Sequence, residues 1–437
     1  MKKILLSAAL MAACTAVSAQ KLTYVPYTEN ALLTGCTVSS NGRYVAGPDT
    51  EGRAFIYDAQ EKKYKEFFSK HLGNEEYGSS ANADIRAVTN DGVGYGYVDE
   101  KAAKFDYATG EFTYLLPESV EDMSLSQYVA PDGSFNCGAT YDASYAQNAY
   151  IQIGDEITYL PTPTDEWLGY ESNGFSARGA SADGSVIFGS VIDNFATYPL
   201  VAWVRNSDGK TYSFVQLSKR FFDGTDDLEG AQPNDMFEGY AISENGKWIA
   251  VNYHKKADSR GDDTGIVIGR YNVETDQLDT LRCPDGSVDV YYYASSISND
   301  GTIVGNVEDQ LSGGRQAFIC KGGETEAKYL RDAYPTVTEL AAMDGNQFNS
   351  ATAITPDGRY IQGFGYVDFN EESLCYATWL LDTESDPTAV EGVATENAPS
   401  KVVASYSLDG KRISRPTLSK SIVLDRLANG KVRKSVK

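Results

Sequence analysis

The sequence predicts an all-β fold, on three observations: a short phrase that recurs seven times, a turn dipeptide at the centre of each copy, and a composition suited to strands. The chain has 437 residues and 42% hydrophobic content, ample for a large core. Aromatics make up 12%, with 30 tyrosines and 40 glycines, which favours β structure with many tight turns over disorder.

The recurring phrase is clearest at ASSISNDGTIVGN, from Ala294. Aligned on the corner, the copies centre on Asn41-Gly42, Asp91-Gly92, Asp132-Gly133, Asp183-Gly184, Asn245-Gly246, Asp300-Gly301 and Asp357-Gly358, about 53 residues apart on average. Three residues before each corner stands an apolar or small residue (Val38, Val88, Val129, Ala180, Ile242, Ile297, Ile354). Two before stands Ser39, Thr89, Ala130, Ser181, Ser243, Ser298 or Thr355. Apolar residues follow, usually with a Gly: Gly47, Gly96, Gly138, Gly189, Gly305, Gly363. The fifth copy lacks it, reading ENGKWIAVN.

Asn-Gly or Asp-Gly between two apolar runs predicts a hairpin through a type I′ turn, which needs positive φ at both central residues. The trailing Gly marks a close approach of another chain segment. Each copy then continues into a second pair of strand-like segments, such as RAFIYDAQEKKYKEF, KAAKFDYATGEFTYL and NAYIQIGDEITYL. Four short antiparallel strands in each of seven repeats predict a seven-bladed β-propeller. The seventh copy supplies three strands, ending at CYATWLLD, while KLTYVP from Lys21 matches the fourth-strand endings EFTYLLP and EITYLP. Residues 21 to 27 are therefore expected as the outer strand of the last blade, so that the N-terminal strand closes the ring and removes exposed strand edges.

These phrases carry a resemblance. AITPDGRYIQG and SISNDGTIVG, followed by an AF-x-x or AYI strand, resemble the extracellular HAF-type repeats and the TolB-type Ser-x-Asp-Gly propeller repeats over about residues 27 to 392. The resemblance implies a propeller fold. It transfers no activity, because such folds host receptors, scaffolds and several enzyme classes.

The expected domains are a signal peptide at 1–19, the propeller at 20–392, a linker at 393–400 and a small C-terminal β tail at 401–437. Lys2 and Lys3 precede an apolar run from Ile4 to Ala13, and Val17-Ser18-Ala19 places small residues before a cut at Gln20. Cys14 offers the alternative of a lipid anchor, although Met11 heads its box poorly. No other stretch approaches the ~20 apolar residues of a membrane helix, so no transmembrane segment is expected. In the tail, two further hairpin signals, Asp409-Gly410 and Asn429-Gly430, lie among ten Lys or Arg and only two acids. The tail resembles the C-terminal sorting domain of type IX (Por) secretion in Bacteroidetes, with Ser421 standing where that family has Gly. That resemblance implies an export machinery as partner and a secreted or outer-surface protein, with the periplasm as the alternative.

Composition excludes several functions. The net charge of −23, and −31 over residues 1 to 400, makes nucleic acid a poor partner. Cys36, Cys137, Cys283, Cys320 and Cys375 are odd in number and lack a CxxC pair, so buried free thiols are expected, with neither a disulfide framework nor zinc. Only His71 and His254 exist, far apart and outside any HExxH pattern. GxSxG and P-loop motifs are missing, as is any GxGxxG that opens a helix, and the sialidase box Ser-x-Asp-x-Gly-x-x-Trp is not matched because Gly directly follows Asp. Phe222–Gly230 (FDGTDDLEG) and Ser259–Gly265 (SRGDDTG) offer oxygens for Ca²⁺ but lack EF-hand spacing. Solvated acidic loops are the expectation, and no cofactor or metal is assigned. Arg260-Gly261-Asp262 is read as a coincidental match to an adhesion tripeptide.

Aromatics gather in the loops that lead into the first strands. Trp167, Tyr170, Phe175, Phe237, Tyr240, Tyr291, Tyr292, Tyr293 and Phe348 form the candidate ligand-binding face, with Phe221 and Phe222 beside it. The corner residues are read as structural. Two functions follow: a monomeric, non-catalytic surface binding or scaffold protein that holds a glycan or protein on that face, or a glycosidase or lyase with paired carboxylates from different blades. Two facing carboxylates in the central cleft, one with a strongly raised pKa, would mark the second.

Overall fold

The computed structural model describes residues 20–25, 36–49, 53–67, 83–117, 123–165, 172–193, 200–217, 237–254, 266–284, 291–309, 312–370 and 373–384. In the tail it describes 402–406, 412–413, 422–427 and 432–436. The expected signal peptide with Cys14, the loops at 222–230 and 259–265, and the linker lie outside the described residues. The chain divides into two compact units, Met1–Ser385 and Asp386–Lys437.

The fold is all-β. From Thr37 the strands come in fours, each antiparallel to the one before, because the corners are too short for any other connection. The first sheet runs through Thr37–Val38, Tyr44–Pro48, Ala54–Asp58 and Lys63–Phe67. The second runs through Ala83–Val88, Val93–Val98, Lys101–Asp106 and Glu111–Tyr114. A third set (Ser124–Val129, Asn136–Tyr141, Gln147–Ile153, Glu156–Tyr159) and a fourth (Ser172–Ala180, Val186–Asp193, Leu200–Arg205, Tyr212–Gln216) are linked edge to edge by a parallel bridge of Gln147 with Gly174. The fifth sheet comprises Phe237–Ile242, Trp248–His254, Ile266–Asn272 and Gln277–Thr280. The sixth comprises Tyr291–Ile297, Ile303–Asp309, Gly314–Cys320 and Lys328–Tyr329. The last has Asn349–Ile354, Tyr360–Asn370 and Ser373–Asp382, and its fourth strand is Lys21–Tyr24, in register from Lys21 opposite Asp382 to Tyr24 opposite Trp379. Successive four-stranded antiparallel sheets of this kind are the β-propeller arrangement.

The tail unit is a separate four-stranded sheet of Val402–Tyr406, Arg412–Ile413, Ile422–Leu427 and Val432–Val436.

Apolar clusters join neighbouring sheets. Phe67, Ile85 and Phe105 bind the first to the second, Cys137, Phe175 and Trp203 the third to the fourth, and Ile268, Ile303 and Phe318 the fifth to the sixth. Val25 and Leu380 of the last sheet meet Val45, Phe55 and Tyr57 of the first. Two fully buried tryptophans keep their N–H satisfied: Trp203 Nε1 donates to Pro161 O (2.8 Å) and Trp379 Nε1 to Asn349 Oδ1 (3.1 Å).

Two short helices not foreseen in the sequence, Leu330–Ala333 and Thr338–Gly345, lie between the sixth and last sheets. Asp344 anchors them: Asn349 Nδ2 (3.2 Å) and Arg331 Nη1 (3.0 Å) donate to its carboxylate. Burial nevertheless pushes its pKa up to about 6.

The corners correct the expected turn type. Positive φ occurs at the glycines, as at Gly42 (72°) and Gly301 (87°), and not at the Asn or Asp before them, so these are not type I′ turns. Instead Gly42 N–H donates to Ser39 O (2.8 Å), and Ser39 N–H pairs with Tyr44 O (2.8 Å). The Ser39 hydroxyl completes the loop, donating to Asn41 Oδ1 (2.7 Å) and accepting from Tyr44 N–H (2.9 Å). Thr89, Ser181, Ser243, Ser298 and Thr355 do the same at their own corners. Side chains that satisfy the loop's backbone explain why Ser or Thr recurs there.

The trailing glycines fulfil the expected close approach. A Cβ at Gly96 would sit 1.9 Å from Asp84 O of the facing strand. In the fifth sheet Val251 takes that place and Gly239 stands opposite it, so the glycine has moved to the partner strand.

Candidate functional site

The corners of different sheets are hydrogen-bonded to one another in a rim. Asn41 N–H and Nδ2 donate to Asn90 Oδ1 (2.9 Å) and O (3.0 Å). Asn245 repeats the pair on Asn299, at 2.8 and 2.9 Å. Asn90 N–H donates to Pro131 O, Ala182 N–H to Glu244 O and Asn299 N–H to Pro356 O. The residue just before the corner thus does the linking in every case. Ser40, from the first sheet, donates its hydroxyl to the Glu244 carboxylate of the fifth.

This rim surrounds an opening of about 580 Å³ lined by Ser40, Asn41, Asn90, Glu244, Asn299, Asp300, Pro356 and Asp357. Behind it lies a smaller cavity of about 210 Å³, whose wall takes residues from the first strand, or the segment leading to its corner, of every sheet. Ser40 and Glu244 line both.

The carboxylates of the rim differ in environment. Burial pushes the Glu244 pKa up, against the Ser40 hydrogen bond, and the negative charge of Asp357 pushes it further. At Asp300 burial also acts upward, but hydrogen bonds from Ser298 Oγ and Thr302 outweigh it and hold the carboxyl below the ordinary range. One opening therefore holds a carboxyl that retains its proton longer than usual and one that stays ionised. Such a divided pair is the equipment of acid–base chemistry.

The cavity wall depends on a second repeated device. The first strands of the second to last sheets each carry a β-bulge five residues before the corner, at Arg86, Gln127, Arg178, Tyr240, Ser295 and Thr352. A bulge inserts one residue and re-aims its side chain, and all of these except Tyr240 line the cavity. Cys36 holds the equivalent place in the first sheet. Its Sγ–H donates to Ile85 O (3.2 Å), and burial pushes its pKa up to about 12, so it is an unreactive thiol. Cys36, Cys137 and Cys320 are free thiols.

Four side chains of the aromatic face read from the sequence are described, and they do not form one surface. Phe175 and Tyr292 are core residues, 3% and 2% exposed: Phe175 meets Trp203 and Phe214 edge-on, and Tyr292 lies against Phe318. Phe348 is half-buried against Phe364 and Tyr366 with the Arg315 guanidinium over its ring, and Tyr293 is half-buried on the first strand of the sixth sheet. None of these four lines the opening or the cavity. Trp167, Tyr170, Phe221 and Phe222 lie outside the described residues, as do the side chains of Phe237, Tyr240 and Tyr291. No group of three or more His, Cys, Asp or Glu suited to a metal ion occurs among the described residues. No helix among them is long and apolar enough to cross a membrane.

The residues that sequence reasoning missed are Glu244, Arg86 and Arg178. Glu244 opens the one copy that breaks the glycine pattern, ENGKWIAVN, and it is the only acid directly before a corner. That irregularity was the available signal.

No family model matches the chain, and no curated relative matches it. Among solved structures it is similar to an oligogalacturonate lyase from Vibrio parahaemolyticus, at 11% identity and a TM-score of 0.48, covering 83% of this chain and 97% of that one. It is also similar to TolB from Acinetobacter baumannii, at 13% identity and a TM-score of 0.38, covering 68% of this chain and 64% of that one. Likenesses this distant assign no residue a role. The expectation of a non-catalytic scaffold that holds a glycan or protein on an aromatic face is corrected by the geometry: Phe175 and Tyr292 are buried, and the space at the rim is lined by carboxylates, amides and hydroxyls instead.

Proposed function

We propose that the chain is a glycan-cleaving enzyme, a glycosidase or a lyase, with Glu244 as its proton-transfer group. The observation that carries this reading is the divided set of carboxylates at one opening: Glu244 raised, Asp300 lowered and Asp357 close enough to act on Glu244. In the hydrolytic case Glu244, protonated further up the pH scale than an ordinary glutamate, gives its proton to the leaving oxygen as the glycosidic bond breaks, and water adds to the anomeric carbon and returns a proton to Glu244. The ionised Asp300 stabilises the positive charge that builds on the sugar. The Ser40 hydroxyl fixes the Glu244 carboxyl in place.

The scaffold proposed for this site is a seven-bladed ring closed by the N-terminal strand. Its support is the pairing of Lys21–Tyr24 with Ser373–Asp382 and the placing of Gly42, of the first corner, directly against Tyr360 of the last sheet. An exported, surface-associated or secreted protein is proposed from the Lys2-Lys3 and Ile4–Ala13 leader pattern and the basic hairpin tail.

Incubating the purified chain with a panel of neutral and acidic polysaccharides tests the reading. Release of new chain ends by the wild type, lost in Glu244→Gln, supports it. An ultraviolet-absorbing unsaturated end identifies a lyase, a plain reducing end a glycosidase. No cleavage of any member of the panel would refute it.

A further inference from the structure

We propose that the cavity behind the rim is a binding site for a small carboxylate anion, gripped by Arg86 and Arg178. The proposal stands whether or not the rim cleaves glycans. Bulges at one repeat position turn Arg86, Gln127, Arg178, Ser295 and Thr352 onto the wall, so five different strands present guanidinium, amide and hydroxyl groups to one space. Residues 1 to 400 carry a net charge of −31, yet the charged members of this wall are two arginines and Glu244. Random placement on so acidic a chain would favour carboxylates.

The chemistry and size of the space narrow the ligand. A guanidinium presents a planar fork of donors that matches a carboxylate, and Gln127 and Ser295 add neutral partners, while the Thr352 hydroxyl donates to Gln362 Oε1 (2.6 Å). Asp84 holds Arg86 from one side, its Oδ2 2.7 Å from Arg86 Nε, which orients that guanidinium and cancels part of its charge. About 210 Å³ holds roughly seven waters at ~30 Å³ each, room for a monosaccharide-sized acid or smaller and not for a polymer. The acidic rim of Glu244, Asp300 and Asp357 repels multiply charged anions, so a single carboxylate is favoured over phosphate.

Calorimetric titration of the full-length chain with sodium acetate, sodium glucuronate and inorganic phosphate, with glucose as the neutral control, tests this. Saturable binding is expected for at least one carboxylate, at least tenfold tighter than phosphate, and none for glucose. Glucuronate alone identifies a sugar acid, acetate alone a free small acid. Arg178→Gln should weaken binding at least tenfold, Arg178→Lys should recover part of it, and both should melt with the wild type. Glu244→Gln takes an acid from the wall, so it should bind carboxylate at least as tightly as the wild type while ending glycan cleavage, which separates the two proposals. Absence of saturable carboxylate binding, tighter binding of phosphate, or unchanged affinity in Arg178→Gln would overturn the assignment.

Discussion

The rim and the wall of the cavity are built from the same first strands and their corners, and they treat repetition in opposite ways. At the rim, two residues before each corner, a hydroxyl recurs in every copy but the one with Ala130. At the wall, five residues before the corner, the sequence runs Cys36, Arg86, Gln127, Arg178, Tyr240, Ser295 and Thr352. The hydroxyl closes a backbone loop, and an apolar group in its place forgoes two of the loop's hydrogen bonds. The residue at the bulge position takes a different partner from copy to copy: Cys36 donates to Ile85 O, Arg86 pairs with Asp84 and Thr352 donates to Gln362. Positions that repeat hold the corners together, and positions that vary line the cavity. Glu244 is the instructive exception, since it sits on the rim, links to Ala182 through its backbone and carries the proposed proton-transfer group on its side chain.

Removing the strand that the proposed ring closure depends on should have the largest effect. Deleting residues 21 to 25 strips the outer strand from the last sheet, removes Val25 from the cluster with Val45 and Phe55, and exposes the Ser373–Asp382 edge. The expected outcome in calorimetry is loss of the single cooperative transition, and an unchanged melting curve would remove the N-terminal strand from the account.

Next comes the rim's chemistry: Glu244→Gln should lower turnover by about 100- to 10,000-fold, the usual worth of a general acid. It should also change the pH dependence of stability. A carboxyl whose folded pKa is raised favours folding at low pH and loses that contribution as pH rises through the folded value. Glu244→Gln should therefore melt higher than the wild type above neutrality and alike near pH 4. Asp344→Asn obeys the same sign between the sixth and last sheets, gaining about 2 kcal/mol above pH 6 relative to pH 4, measured by denaturation at both.

The comparison is sharpened by two serines on one strand and its corner. Ser298→Ala at the rim should cost about 1–2 kcal/mol, because Asp300 and Thr302 N–H lose a partner. Ser295→Ala at the wall should stay within about 0.5 kcal/mol. The smallest effect expected is a gain: Ala130→Ser supplies the missing hydroxyl beside Asp132 and should add about 0.5–1 kcal/mol. Equal costs for Ser295 and Ser298 would erase the distinction between rim and wall.

Much of the architecture was legible because corners are local. The dipeptide, the hydroxyl before it and the glycine after it act within a few residues, so spacing alone located the strand groups, including the match of KLTYVP to a fourth strand. Even the rim pairs were readable, since Asn41 and Asn245 are followed one copy later by Asn90 and Asn299. The turn type was misjudged because the hydroxyl relieves the Asn or Asp of the positive φ that a two-residue hairpin demands. The site escaped because it is assembled across copies: Ser40 and Glu244 lie 204 residues apart and meet only when the sheets do. The aromatics misled for the reason that makes them good core residues, and Phe175 and Tyr292 fill space between strands.

The most direct test of the account is the pH–rate profile of glycan cleavage by the wild-type chain. The account predicts that kcat/KM falls on the alkaline side with an apparent pKa above that of an ordinary glutamate, and that Glu244→Gln removes both the activity and that limb. A profile whose alkaline limb persists in Glu244→Gln, with turnover intact, would contradict it.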